Sequence, residues 1–197
     1  MPAIKGKIYR LKIVLDGSEP LIWRKILVKS DIKLSQLHDI IQTVMGWTNS
    51  HLHHFRTKDC WYVMQGELDN HDSDAVDERK AKLCDIVARG QSFLYEYDFG
   101  DSWMHIIKVE AVLEPEAGVK YPACVGGAMA CPPDDVGGLD GYYNFIEALK
   151  DPKHEDHEDM VEWHGEDFDP SKFELRETNM TLHPNTKVWQ YTGDKRK

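Results

Sequence analysis

Hydrophobic and polar positions alternate near the start of the chain. Tyr9, Leu11, Ile13 and Leu15 fall on one face and Arg10 and Lys12 on the other, the period of a half-buried strand. The cluster Asp16-Gly17-Ser18-Glu19-Pro20 is a turn, and Leu21 to Val28 predicts a second strand that closes a hairpin. Ile22, Ile26 and Val28 share a face with Arg24. A guanidinium on an apolar face needs a partner, and Asp98 or Asp101 is the natural candidate. Such a pair would lock the sheet, or orient a ligand carboxylate or phosphate.

The period then changes. Leu34, Leu37, Ile40, Ile41, Val44 and Met45 predict a helix, with Ser30 or Asp31 near its start and Gly46 ending it. His51–Phe55 and Cys60–Met64 predict short strands, and the polar stretch 67–82 a surface loop. Leu83–Ala88 suits a short helix. Phe93, Tyr95 and Tyr97 alternate as a strand, and Trp103 to about Leu113 reads as a long central strand, apolar on both faces in its first half. The Gly- and Pro-rich segment 115–138 reads as a long ordered loop. Leu139, Tyr142, Tyr143, Ile146 and Leu149 predict a helix ended by Asp151-Pro152, followed by an acidic helix over 155–163 and a last strand near Phe173–Thr178. No regular βα alternation is present, so the expected class is α+β: a mainly antiparallel sheet, the Leu34–Met45 helix on one face, and C-terminal helices closing the core. Residues 1–182 are expected to form one domain and 183–197 a tail.

Composition narrows the function classes. The 197 residues are 41% hydrophobic and 29% charged, as in an ordinary globular protein, with a net charge of −10. An acidic surface repels phosphate backbones, so nucleic acid is not expected as a partner on electrostatic grounds. No apolar run is long enough to span a bilayer and the first residues lack a signal-peptide core, which predicts a cytoplasmic protein without membrane attachment. Four cysteines in such a chain do not make a disulfide framework.

Several groups of residues could carry chemistry. In an extended strand Asp101, Trp103 and His105 lie on one side, where a carboxylate and an imidazole beside an indole could bind a cation or move a proton. The alternative is that Asp98 and Asp101 build a tight turn while His105 is a hydrogen-bonded core residue. His51 and His53 share a strand face, and with Asp101 and His105 they would form a ligand set for a divalent metal, zinc or manganese, if the strands are adjacent. Cys124 and Cys131 lie too far apart for a zinc knuckle; they are structural thiols, a redox pair, or ligands together with His154, His157 and His164. The acidic run 151–167 reads as a solvated face. The chain has no Gly-x-Ser-x-Gly elbow, no P-loop and no His-Glu-x-x-His.

The motifs Tyr9-Arg-Leu-Lys-Ile13, Pro20-Leu-Ile-Trp-Arg24, Met45-Gly-Trp47, His51-Leu-His53, Tyr95-x-Tyr-Asp-Phe-Gly-Asp-Ser-Trp-x-His105, Tyr121-Pro-x-Cys124 and Cys131-Pro-Pro-Asp-Asp-Val-Gly-Gly138 occur in one order. In that order the chain resembles the plasmid pRiA4b ORF-3-like family over about residues 5 to 182. The resemblance implies a compact α+β domain and assigns neither an activity nor catalytic residues. The resolvase-like label of some members finds no support in an acidic chain without a basic recognition helix or recombinase serine motif. Three function classes follow. The first is a non-catalytic module binding a protein or small molecule in a cleft of Trp23, Arg24, Trp47, His51, His53, Asp98, Asp101, Trp103 and His105. The second is a metal-dependent hydrolase or metal-binding domain on His51, His53, Asp101 and His105. The third is a redox module on Cys124 and Cys131.

Overall fold

The structure is a computed structural model that describes residues 6–70 and 75–184. Most of the tail expected at 183–197 lies outside them. The first two strands are β1 (Ile8–Leu15) and β2 (Trp23–Lys29), antiparallel from Ile8 opposite Lys29 to Val14 opposite Trp23. Helix α1 (Leu34–Met45) follows, then β3 (His53–Arg56), β4 (Trp61–Val63), a 3-10 turn at Gln65–Asn70 and β5 (Ala75–Asp77). The second half contains α2 (Leu83–Ile86), β6 (Ser92–Tyr97), β7 (Trp103–Leu113), β8 (Ala123–Ala128), α3 (Gly138–Lys150), α4 (His157–His164) and α5 (Leu175–Leu182). The strands form an eight-stranded sheet in the order β5-β4-β3-β6-β7-β1-β2-β8. Every pairing is antiparallel except that of β4 with β5. The class is α+β.

The alternation in β1 does what it predicts: Tyr9, Leu11, Ile13 and Leu15 are buried in the main core together with Leu34, Leu37, Ile41 and Val44 of α1. Burying such a side chain contributes about 1.5–3 kcal/mol before entropy is counted. The helix starts later than Ser30 or Asp31 suggested. Its N-cap is Lys33, whose amide donates to Gln36 Oε1 at 3.0 Å. Gly46 ends it at φ 107°, its amide on the Gln42 carbonyl. Strand β7 is central, between β6 and β1, but only one face is buried. Trp103, His105, Ile107 and Val109 point into the core, while Ile106 stays 37% exposed.

Three expectations from the sequence are corrected. The segment 115–138 is not all loop: β8 pairs with β2, and its Cys-Val-Gly-Gly core has no alternation to read. The stretch 67–82 holds the 3-10 turn and β5. Residues 173–178 are not a strand, since Leu175, Thr178, Asn179 and Leu182 turn one helical face inward. Asn179, fully buried, accepts from the Cys124 amide and donates to the Cys124 carbonyl, both at 2.9 Å. The side chain thereby takes the part of a ninth strand at the edge of β8. Among the described residues no helix is long and apolar enough to cross a membrane.

Candidate functional site

Three segments distant in sequence meet beside the end of α1: the loop 47–52, the β6–β7 turn at 98–102, and the loop 131–137 leading into α3. Trp47 ties the first to the third by donating from Nε1 to the Pro132 carbonyl at 3.0 Å. The Thr48 amide and hydroxyl both donate to Asp134 Oδ2, at 3.3 and 2.8 Å. Tyr97 accepts from the Ser50 amide at 3.1 Å and donates to Asp134 Oδ1 at 3.3 Å. Burial, then the neighbouring Asp134, pushes the Tyr97 phenol up to about 12, so it is a neutral donor. In the turn, Asp98 Oδ1 accepts from the Gly100 and Asp101 amides at 2.9 and 3.4 Å. Asp101 Oδ2 accepts from the Gly137 amide at 3.1 Å, holding the loop against the turn. Gly138 admits this approach; a Cβ there would sit 2.8 Å from the Asp101 carbonyl oxygen.

This framework leaves His51, Asp98 and Asp135 facing one another. His51 Nε2 lies 3.1 Å from Asp135 Oδ1 and 3.6 Å from Asp98 Oδ2. Among the described residues these three are the group of His, Cys, Asp or Glu side chains whose ligand atoms all fall within 4.8 Å of one another. Asp98 and Asp135 both adopt left-handed backbone, at φ 56° and 62°, which Asp tolerates better than most residues. His51 Nε2 is buried and makes no hydrogen bond to the described residues, despite the two carboxylates beside it. The two separations from Nε2 are near those of ligands about 2.1 Å from one metal, which sit about 3.0 Å apart in octahedral and about 3.4 Å apart in tetrahedral geometry.

His51 also lines a groove of about 750 Å³ whose walls include His38, His53, Glu78 and Arg79. Its floor is a buried polar chain. His53 Nε2 meets Glu78 Oε2 at 2.9 Å, both nearly buried, and the ring stacks on His38 at 3.4 Å. His38 Nε2 lies 2.7 Å from Asn49 Oδ1, and its Nδ1 lies 2.9 Å from the Tyr95 hydroxyl. Burial, with His53 adding to it, holds the His38 imidazole down to about 4, so the ring is neutral.

The predicted residues are therefore distributed differently from the expectation. The quartet His51, His53, Asp101 and His105 does not converge. His53 turns to Glu78, Asp101 to the Gly137 amide, and His105, fully buried, to the Trp103 carbonyl through Nδ1 at 2.8 Å. Burial lowers the His105 imidazole to about 4. It is the core histidine of the simpler reading. Nor do the expected cleft residues share one opening among the described residues: His51 and His53 line the groove beside Glu78, Arg24 and Trp47 border a separate one, Trp103 and Asp98 are buried, and Trp23 is on the other face of β2, with Lys12 and Lys25 about its ring. Arg24 has no carboxylate partner among the described residues; its bonds go to backbone carbonyls. The cysteines are free, and burial pushes the Cys124 and Cys131 thiols up, away from thiolate chemistry. His157 bonds the Ala148 carbonyl, His154 lies near Asp156, and His164 packs on Phe145 and Phe168. These three do not form a cation site with the thiols among the described residues.

Fold and site together define an α+β protein with one imidazole and two carboxylates gathered where three loops meet. The chain belongs to the plasmid pRiA4b ORF-3-like protein family, whose model matches residues 7–177. It is similar to the uncharacterized protein y4hQ of Sinorhizobium fredii, 39% identical over 93% of this chain and 95% of that protein. It is also similar to the crystal structure of MM3350, a protein of unknown function from Methanosarcina mazei Go1. That match has a TM-score of 0.80 and 39% identity, and it covers 87% of this chain and 97% of the other.

Proposed function

We propose that the protein is a binding module whose recognition element is a divalent cation held by His51, Asp98 and Asp135. The observation that carries this reading is the buried His51 Nε2, which has no hydrogen bond among the described residues and lies 3.1 and 3.6 Å from two carboxylate oxygens. Nitrogen with two carboxylate oxygens suits manganese or zinc better than the softer metals that prefer thiolate. Asp135 is 70% exposed, so its side of the site stays open to water or to a ligand atom. The groove beside His51 supplies room for the remainder of that ligand. A hydrolytic role would use the same ion to activate a water in the open position.

Mn²⁺ binding followed by electron paramagnetic resonance tests the reading, since the free hexa-aqua signal falls as the ion is taken up. Asp98→Asn and Asp135→Asn preserve the left-handed backbone and an acceptor oxygen while removing one charge each. Each is expected to weaken Mn²⁺ at least tenfold, and His51→Ala likewise, with unchanged far-ultraviolet circular dichroism. Equal Mn²⁺ binding by wild type and all three variants sinks the reading.

A further inference from the structure

Arg24 is 2% exposed and brings a full positive charge into the core. Nε donates to the Val44 carbonyl in the last turn of α1 at 2.8 Å. Nη1 donates to the Trp23 and Ala128 carbonyls, both at 2.9 Å. The helix end contributes partial negative charge, but no carboxylate of the described residues neutralises the guanidinium. Those bonds occupy three of its five N–H groups. Both Nη2 hydrogens are left without a hydrogen bond to the described residues. Nη2 is nonetheless not sealed in, because Arg24 lines a groove of about 480 Å³.

The groove is shaped to present that edge. The Phe173 ring covers one face of the guanidinium, its centre 4.4 Å from the Arg24 Cζ. The ring fits there because residue 127 is glycine; a Cβ would lie 2.6–2.8 Å from ring carbons of Phe173. Trp47, Pro132 and Phe168 add apolar wall. The outer lining carries the opposite charge, with Asp167, Glu174 and Glu177 exposed around a single lysine, Lys172. A dianion such as phosphate would meet this acidic rim unfavourably. A planar monoanion that also carries a cation satisfies both ends.

We infer that this second groove binds a small zwitterion, its carboxylate on Arg24 Nη2 and its ammonium or guanidinium group against the Asp167, Glu174 and Glu177 rim. The site is separate from the His51–Asp98–Asp135 cluster and does not depend on metal. Its volume lies within the usual range of small-molecule sites.

Isothermal titration of the full chain with glycine, 4-aminobutanoate, 6-aminohexanoate and L-lysine tests the inference across a range of charge separations. Hexanoate, hexylamine and inorganic phosphate provide the comparisons. One member of the amino-acid series is expected to bind with a Kd of about 1 mM or tighter, at least tenfold better than hexanoate, hexylamine or phosphate. Arg24→Gln is expected to abolish that binding. Should that variant fail to fold, E174Q/E177Q alters only exposed carboxylates and is expected to weaken binding at least fivefold. The inference is overturned if no member binds, if hexanoate or phosphate binds as well as the best zwitterion, or if binding is unchanged in E174Q/E177Q.

Discussion

Two buried imidazoles make acid stability a quantitative test of the core. His38 and His105 are 4% and 0% exposed, and both are lowered from 6.5 to about 4, chiefly by burial. Well above pH 6.5 both rings are neutral whether the chain is folded or unfolded, so pH has no leverage. As pH falls below 6.5 the unfolded chain takes up protons that the folded core refuses, and stability drops until the folded rings titrate near pH 4. Each ring contributes a loss of about 3 kcal/mol, since one pKa unit is about 1.4 kcal/mol. The pair removes about 6–7 kcal/mol, comparable to the whole stability of many domains. Asp77, whose carboxyl is held down to about 2 by its bond to Arg79, adds its loss only below pH 3.8. The decisive perturbation is His105→Phe, which retains an aromatic ring beside Trp47 and Tyr95 and removes one titrating group. Urea unfolding followed by tryptophan fluorescence at half-unit steps from pH 7 to 4 is the assay. The variant should lose about half as much stability as wild type across that window. Parallel curves for the two proteins would refute the assignment of His105 as a buried neutral ring.

Other consequences are equally specific. Asn179→Ala leaves the Cys124 amide and carbonyl without their partner and should cost about 2–4 kcal/mol in urea unfolding; a change within 0.5 kcal/mol contradicts the edge-strand role. Gly127→Ala drives a methyl into the Phe173 ring and should cost about 1–3 kcal/mol, with Phe173→Ala on the same background recovering part of that loss. Native Cys124 and Cys131 should react with a thiol reagent at pH 8 at least tenfold more slowly than in urea, because burial disfavours both thiolates.

Much of the scaffold was legible because periodicity reports burial directly. Tyr9 to Leu15 and Leu34 to Met45 carry clean periods of two and 3.6, and both elements lie where those periods put them. Arg24 was placed on the apolar face of its strand by the same argument. Its partners were not legible, because backbone carbonyls of Val44 and Ala128 leave no mark in a side-chain pattern. Strand β8 escaped since Gly126 and Gly127 have no side chain to alternate. The site was half visible. The sequence singles out His51 and Asp98, but the second carboxylate, Asp135, arrives from a loop 37 residues beyond Asp98 in the chain. Its one signal was the Asp134-Asp135 pair within the Cys131–Gly138 motif. His53 and His105 do not join His51, because i, i+2 spacing fixes a shared face only within one strand. His51 precedes β3, so the pleat of the sheet does not fix its direction, and it faces Asp98 and Asp135.

The claim that His51, Asp98 and Asp135 hold a cation is tested most directly by diffraction from crystals soaked in MnCl₂, with data collected at the manganese absorption edge. The account predicts an anomalous peak bonded to His51 Nε2 and one oxygen from each aspartate at about 2.0–2.3 Å. A difference map with no peak there, at a Mn²⁺ concentration that loads other carboxylates in the crystal, would contradict it.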